Sequence, residues 1–309
     1  KILVSGSLCF DKIMNFPGYF KDHILPDKIH NLNVSFSVEN LKENFGGTAG
    51  NIAYNLALLG ESPEILSTAG KDFDDYKKWL KKYGVDTEKI KIIDDKLTSF
   101  CNIITDQADN QLTAFYPGAM ADSWITGNME LDSSDKILAI IAPGHPGDIV
   151  KLSKLYSENN IPFIFDPGQQ IPTLSGEDLK NSIKGAKVFI SNDYELSLVL
   201  RKTNWSEKEI LNNAEIIITT LGEKGSIIKT QKENYEIQPA KPKNTSDPTG
   251  AGDAYRAGLI KGLIEGWPID VVGRFGGVVS CYTVEKYGTQ THKFSFDQVK
   301  KRYNKNFNI

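Results

Sequence analysis

Short, unbroken runs of apolar residues recur along the chain, separated by longer segments in which apolar residues repeat with helical spacing. The clearest runs occupy residues 137–141, 163–165, 188–190 and 216–218. Strands that are apolar at every position are typical of parallel sheets covered on both faces. The alternation of such strands with helical segments therefore predicts an α/β protein whose mostly parallel sheet is flanked by helices.

Two segments break this alternation, at about residues 12–46 and 98–119. The second contains two patterned strands, 100–104 and 112–116, and the first lies next to the predicted first strand of the chain. We expect these segments to form one small sheet of their own. No linker or low-complexity stretch divides the sequence, so we expect a single domain spanning residues 1–309.

The sequence Asp-Pro-Thr-Gly-Ala-Gly-Asp occupies residues 247–253 and precedes an apolar, helix-forming run. Gly250 and Gly252 flank Ala251, which lets the backbone turn tightly and expose its N–H groups where the helix adds its positive end. Asp253 falls in the first helical turn, where its carboxylate can reach a hydroxyl beside a bound phosphoryl group. The alternative is a turn whose glycines serve backbone geometry and whose aspartates cap the helix.

This heptapeptide resembles the C-terminal signature of the ribokinase-like (PfkB-type) carbohydrate and nucleoside kinases. A second signature of that family is similar to residues 45–53, Phe-Gly-Gly-Thr-Ala-Gly-Asn-Ile-Ala. The resemblance implies a doubly wound, mostly parallel sheet with a small β lid, and a kinase that uses ATP and Mg²⁺. Within that family, the chain most resembles the adenosine-kinase-like members.

The second signature supplies three candidate substrate contacts. Gly46 and Gly47 permit close approach of a flat polar ligand to the backbone, and Asn51 offers both a donor and an acceptor to sugar hydroxyls. A strand-to-helix turn with Asn51 as a satisfied buried amide is the alternative. Asp11 lies a few residues beyond the first strand, at the sheet edge where ligands bind. The resemblance implies that it hydrogen-bonds substrate hydroxyls; a turn residue is the alternative.

Residues for the nucleotide follow two later strands. Asn192 and Glu195 are similar to the family's Asn-x-x-Glu element, which organises water, magnesium and phosphate, and we expect Glu195 to hold Mg²⁺ through water. The same two residues also fit an ordinary helix-capping pattern. The sequence does not decide between the nucleotide-binding role and the capping role. Thr220, Gly222 and Gly225 resemble the family's nucleotide-side turn, although Gly-x-x-Gly turns also join strands elsewhere.

The resemblance implies two further features. In several family members a monovalent cation sits beside the heptapeptide loop, for which Asp247 and Thr249 would contribute oxygen ligands to K⁺. The small sheet would act as a lid that excludes water from the reaction. Its apolar underside would come from four phenylalanines, for each of which plain packing or a dimer contact is the alternative: Phe16, Phe20, Phe36 and Phe115.

Composition narrows the class of protein. The chain has 309 residues, a formal net charge of −3 and scattered basic residues with only four arginines, so we expect no nucleic-acid partner. No run approaches the length of a membrane span, and no signal-peptide profile is visible. The three cysteines form no Cys-x-x-Cys pair, which favours a reduced, cytoplasmic location. We expect a monomer or a homodimer.

Together these features predict a mechanism. Asp253 takes the proton from a primary hydroxyl during in-line attack on the γ-phosphorus, while N–H groups at Gly250, Ala251 and Gly252 stabilise the developing charge. The aromatic residues favour a neutral nucleoside such as adenosine, because a base needs a flat surface on which to stack, and Phe115 is the candidate. The alternatives are a monosaccharide kinase of the ribose or fructose type, or a non-catalytic regulator that binds sugar or nucleotide.

Overall fold

The computed structural model describes residues 1–108, 110–126 and 138–307. Its strands are β1 (Ile2–Ser5), β2 (Cys9–Asn15), β3 (Glu39–Gly46), β4 (Pro63–Leu66), β5 (Thr68–Gly70), β6 (Lys91–Ile93), β7 (Ser99–Thr105), β8 (Gln111–Tyr116), β9 (Leu138–Ile141), β10 (Phe163–Phe165), β11 (Val188–Asn192), β12 (Ile216–Thr220), β13 (Ser226–Thr230) and β14 (Asn234–Ile237). Its α-helices are α1 (Thr48–Leu58), α2 (Asp74–Lys82), α3 (Pro146–Glu158), α4 (Gly176–Ile183), α5 (Asp193–Thr203), α6 (Glu207–Leu211), α7 (Ala251–Ile264), α8 (Ile269–Val284) and α9 (Phe296–Phe307).

The main sheet has the strand order β14-β13-β12-β11-β10-β9-β1-β4. Strands β12 to β4 in this order are parallel, and β13 and β14 add an antiparallel edge. The chain runs outward from β1 to β4 and later returns to the other side of β1 with β9. The direction of winding therefore reverses between β1 and β9, and ligands bind outside the carboxyl ends of strands at such a point.

Each of the six parallel strands of this sheet contributes to two cores at once, whereas β13 and β14 contribute to the first core only. In β1, Ile2 and Val4 pack into one core and Leu3 into the other. The first core is closed by side chains of α1, α2, α7, α8 and α9, and the second by side chains of α3 to α6. Burial on both faces explains the unbroken apolar runs, and it confirms the predicted α/β fold. Ile137, at the start of one predicted run, lies outside the described residues.

The segments that break the alternation form a second, four-stranded sheet in the order β3-β2-β7-β8. Strand β2 pairs in parallel with β7, and the other pairs are antiparallel. Only a short turn separates β1 from β2, so the small sheet stands over the carboxyl ends of the main sheet. The predicted small sheet is thereby confirmed. In the described residues, no helix has the length and apolar character that a membrane span requires.

The phenylalanines predicted for the underside of this sheet do not all lie there. Phe16, Phe20 and Phe36 pack against one another with ring centroids 4.9 to 5.7 Å apart, and His23 joins the cluster at its edge. Phe115, by contrast, lines the cleft beneath the sheet and is half exposed. The prediction is wrong for the first three, because the segment between β2 and β3 folds around its own aromatic core.

Candidate active site

A cleft of about 570 Å³ lies between the small sheet and the carboxyl ends of the main strands. The predicted site residues that line it are Asp11, Gly47, Asn51, Phe115, Asn192, Glu195, Thr220, Gly222, Asp247, Thr249, Gly250, Gly252 and Asp253. The structure thus brings together residues from every motif that the sequence suggested. Gly46, Gly225 and Ala251 are not among the residues that line it.

Asp253 occupies the first turn of α7, whose N-cap is Gly250 in the left-handed conformation with φ 77°. Its Oδ2 accepts a hydrogen bond from Asn51 Nδ2 at 2.8 Å. Burial raises the pKa of the Asp253 carboxyl to about 7, although the bond from Asn51 and the charge of Arg256 oppose that rise. A carboxyl group with a pKa near neutrality is suited to exchange a proton with a substrate.

The N–H groups at the start of α7 are not all equivalent. Ala251 N donates to Pro248 O at 3.2 Å, so the turn itself engages a donor that the sequence assigned to anion binding. Gly250 and Gly252 line the cleft on either side of it. A Cβ at Gly250 would lie 3.0 Å from Thr289 Cγ2, and its positive φ further favours glycine there.

The two glycines of the N-terminal signature make room for the protein's own atoms. A Cβ at Gly46 would lie 2.4 Å from Asp11 Oδ2, and one at Gly47 would lie 2.6 Å from Ser7 O. Gly47 also has a positive φ of 87°. The sequence had suggested close approach of a ligand; the structure shows instead that Gly46 leaves the space that the Asp11 carboxylate occupies.

Asp11 lies on β2 and faces the cleft between Asn44 of β3 and Cys101 of β7, its neighbours in register. Burial raises the pKa of its carboxyl to about 6, and the charge of Asp247 adds to the effect. Cys9 Sγ lies 3.9 Å from Asp11 Oδ1. The cleft therefore presents two carboxyl groups, Asp11 and Asp253, that burial holds above their usual pKa.

Asn192 and Glu195 form the capping box that the sequence left as an alternative. Glu195 N donates to Asn192 Oδ1 at 2.7 Å, and Asn192 N donates to Glu195 Oε2 at 2.8 Å. Both side chains also line the cleft, and burial raises the pKa of Glu195. Capping and exposure to a ligand are thus compatible at this position.

The two glycines of the turn after β12 have different surroundings. Thr220 ends β12 in register with Asn192, so both lie at the same sheet edge. Gly222 has a φ of 59°, and a Cβ there would meet nothing within 4 Å, which leaves open space on the cleft side. A Cβ at Gly225 would lie 2.0 Å from Ile237 O. Gly225 is therefore required by the approach of the chain after β14.

Asp247 lies in the loop before α7 and accepts two backbone hydrogen bonds there. Its Oδ1 accepts from Thr249 N at 2.9 Å and its Oδ2 from Gly288 N at 3.0 Å. Each carboxylate oxygen retains a further lone pair. Within the described ranges, no group of three or more His, Cys, Asp or Glu side chains is placed to hold a metal ion. A cation at this cleft would therefore rely on one or two carboxylates, on backbone oxygens and on phosphate.

A buried ion pair at the floor of the cleft was not anticipated from the sequence. Arg256 Nε and Nη2 donate to the two oxygens of Asp166 at 2.6 and 2.9 Å, and Arg256 Nη1 donates to Gly252 O at 3.2 Å. Both side chains are less than a tenth exposed. The sequence contained a signal for it: Asp166 directly follows the buried strand β10, and Arg256 interrupts an apolar helix.

Comparison with known proteins shows which family has this fold and site. A sequence model of the pfkB family carbohydrate kinases matches residues 7–294. The chain is 30% identical over 307 residues to a nucleoside kinase of Methanocaldococcus jannaschii, covering 99% of this chain and 97% of the relative. The crystal structure of the nucleoside kinase of that organism superposes with a TM-score of 0.89 at 29% identity, covering 98% of both chains.

A bacterial structure is also similar. The nucleoside kinase of Burkholderia thailandensis, in complex with inosine, shares 34% identity and a TM-score of 0.86, covering 100% of this chain and 99% of that one.

Proposed function

The chain belongs to the pfkB family of carbohydrate kinases, and we propose that the acceptor it phosphorylates is the primary hydroxyl of a neutral nucleoside. Members of this family are phosphotransferases with an alcohol group as acceptor. The observation that carries the proposal is the position of Asp253, which stands at the N-terminus of α7 in one cleft with Asp11 and with Asn192. Such a carboxylate has an acceptor hydroxyl on one side and a phosphoryl group on the other.

The choice of a nucleoside rests on the wall of the cleft near Asp11. Ile13, Ile103 and Phe115, all on the small sheet, line the cleft on the face that carries Asp11. A purine or pyrimidine needs a flat apolar surface, whereas a free sugar needs mainly hydrogen-bond partners. The similarity to nucleoside kinases, one of them solved with inosine, supports the same choice.

A neutral acceptor follows from the charges in the cleft. The guanidinium of Arg256 lines the cleft but is paired with Asp166, and the carboxyl groups of Asp11 and Asp253 lie on the acceptor side. Recognition of a sugar phosphate would favour an unpaired arginine fork at that place. The arrangement is therefore better matched to hydroxyls than to a second phosphate.

In the proposed reaction, the Asp253 carboxylate accepts the proton of the primary hydroxyl while the hydroxyl oxygen forms its bond to the γ-phosphorus. The bond from that phosphorus to the bridging oxygen breaks, and ADP leaves. The N–H groups at Gly250 and Gly252 and the positive end of α7 stabilise the charge on the transferring group. Asp11 orients the nucleoside by accepting hydrogen bonds from its ribose hydroxyls.

Cations fit two places in the cleft. Glu195 presents a carboxyl group to the cleft that Gly222 also lines, and such a group suits a Mg²⁺ ion held through water. When bound, Mg²⁺ neutralises phosphate charge and orients the polyphosphate. Asp247 and Thr249 line the cleft in the loop before α7, and their oxygen atoms would hold K⁺.

The test is release of ADP from Mg-ATP with a panel of nucleosides and free sugars. We expect turnover with purine nucleosides, inosine and adenosine first, at a kcat/KM well above that for ribose or fructose. Turnover with a sugar alone would replace the proposal with a monosaccharide kinase. Binding of ATP without turnover on any acceptor would overturn it in favour of a binding protein.

A further inference from the structure

A chain of hydrogen bonds leads from the half-buried Trp79 of helix α2, through two buried amides, to the carboxylate of Asp253. Trp79 Nε1 donates to Gln290 Oε1 at 3.1 Å, and Gln290 Nε2 donates to Asn51 Oδ1 at 3.0 Å. Asn51 Nδ2 then donates to Asp253 Oδ2 at 2.8 Å. Gln290 and Asn51 are 3% and 4% exposed, so neither amide has bulk water as a ready substitute partner.

The chemistry of its first member fixes the direction of this chain. An indole N–H is a donor and has no acceptor, so it must meet the oxygen of the Gln290 amide. The Gln290 NH₂ group then points at Asn51, whose oxygen must accept, and the Asn51 NH₂ group is left to face Asp253. If both amides were reversed, donor would face donor at Trp79 and oxygen would face carboxylate at Asp253.

A side branch completes the hydrogen bonding of Gln290. Its Nε2 also donates to Tyr76 Oη at 2.5 Å, and Tyr76 Oη donates to Gly46 O at 2.7 Å. Both hydrogens and the oxygen of the Gln290 amide are therefore used. A Cβ at Gly50 would lie 1.9 Å from Tyr76 Oη and 3.1 Å from Gln290 Nε2, so Gly50 leaves the space in which these groups meet.

We propose that Trp79 and Gln290 are positioning residues for the phosphoryl-transfer step, which hold the Asn51 amide with its NH₂ group toward Asp253. The inference rests on the proposed role of Asp253 as the base. A donor at this place stabilises the carboxylate form, which is the form that can accept a proton. Neither positioning residue contacts Asp253 directly; both act through Asn51.

Other charged and titratable groups also act on Asp253, and they stay in place when the chain from Trp79 is altered. Arg256 favours its charged form, while Asp166 and Asp11 disfavour it. Tyr76, on α2, is held neutral by burial, which raises its pKa well above the ordinary value. A change that follows substitution of Trp79 can therefore be assigned to the orientation of Asn51.

The variant Trp79→Phe tests the proposal, because it removes the N–H but keeps an aromatic ring among Phe45, Tyr54 and Tyr83. Both amides can then reverse together once the Tyr76 hydroxyl turns from Gly46 O to the Gln290 oxygen, and the reversed pair favours the protonated form of Asp253. We expect kcat to fall roughly three- to tenfold and the acidic limb of its pH profile to move up by about half a pH unit to one unit. KM for the nucleoside and for ATP should change less than twofold.

Trp267→Phe is the matched control, since Trp267 is similarly half-buried and packs against Phe275 and Phe296, away from the cleft. Gln290→Met provides a second variant of similar size, and melting temperatures show that each protein is folded. In the double variant, Trp79→Phe should add nothing to the shift that Gln290→Met produces alone. That lack of additivity is expected of residues that act in series.

Two results overturn the inference. One is a Trp79→Phe protein whose kcat and acidic limb match those of Trp267→Phe; the other is additive shifts in the double variant. Failure of the proposed function looks different: Asp253→Asn would then retain turnover. If only the positioning role of Trp79 and Gln290 is wrong, Asp253→Asn is still inactive but the pH profile of Trp79→Phe matches that of the wild type.

Discussion

The cleft has a proposed acceptor side, around Asn51 and Asp253, and a proposed nucleotide side, around Asn192 and Glu195. Different kinds of contact hold these two sides in place. On the acceptor side, Asn51 bonds to Asp253 and to Gln290, which are 202 and 239 residues away in sequence. On the nucleotide side, Asn192 and Glu195 bond to each other across three residues. The acceptor side is therefore a product of tertiary packing, whereas the nucleotide side is built from local helix and strand ends. Substitutions should disturb the acceptor side more severely and over longer distances.

The largest expected effect on stability concerns a buried imidazole behind the acceptor side. His292 is 1% exposed and its Nε2 lies 2.9 Å from Asn55 Oδ1; burial lowers the pKa of His292 from 6.5 to about 4. The unfolded chain takes up this proton at higher pH than the folded chain does, so acidification from pH 6.5 to 4 favours unfolding. We expect this group to remove up to about 3 kcal/mol of stability across that window. Urea unfolding of wild type and His292→Gln at several pH values measures it.

In that experiment, His292→Gln should unfold at a midpoint that depends less on pH between 4 and 6.5. Equal pH dependence in both proteins would show that the imidazole is not the source. The carboxyl groups of Asp11 and Asp253 act in the opposite direction, because burial raises their pKa. The test therefore rests on the difference in pH dependence of unfolding between wild type and His292→Gln, and not on the total pH dependence of either protein.

A second prediction concerns the close approach of Gly46, in the N-terminal signature, to the Asp11 carboxylate. In Gly46→Ala the new Cβ would lie 2.4 Å from Asp11 Oδ2 and would displace that carboxylate. We expect KM for the nucleoside to rise on the order of tenfold to a hundredfold, with little change in the Kd of ATP. Steady-state kinetics and ATP titration measure the two effects separately.

Gly277→Ala is the matched control, because a Cβ there would come no closer than 3.8 Å to Ala240. It should leave both constants near the wild-type values. Equal loss of ATP and nucleoside affinity in Gly46→Ala would contradict the separation of the two sides.

The smallest effect is expected on the nucleotide side. Glu195→Gln keeps a side chain that can still cap α5 but removes the charge proposed to hold Mg²⁺ through water. We expect the Mg²⁺ concentration for half-maximal rate to rise about tenfold, while KM for the nucleoside is unchanged. Glu209→Gln makes the same change in the exposed capping box of α6 and should leave the Mg²⁺ requirement as it is. An identical Mg²⁺ requirement in all three proteins would remove Glu195 from the site.

The same contrast explains what the sequence could predict. The unbroken apolar runs predict the parallel sheet, because each parallel strand contributes side chains to two cores. The carboxyl ends of parallel strands share one edge, so the positions of Asp11, Asn192 and Thr220 follow from the order of strands and turns. The roles of Asp247 and Thr249 toward a cation, and of the glycines around Asp253 toward phosphate, remain predictions.

Other features depend on contacts between distant segments and leave no local pattern. Gln290 lies in a loop with no motif, and Gly46 and Gly225 are explained by atoms of Asp11 and Ile237. The aromatic cluster of Phe16, Phe20 and Phe36 shows the same limit, because composition alone does not tell packing within a loop from the lining of a cleft.

We propose that Asp253 takes the proton from the acceptor hydroxyl, and the Asp253→Asn protein is the sharpest test of that role. Nucleoside-dependent release of ADP should fall by about a hundred- to ten-thousandfold, while ATP still binds. Asp297→Asn, which alters an exposed carboxylate in the first turn of α9, should keep the wild-type rate. An Asp253→Asn protein with turnover close to wild type would contradict the account.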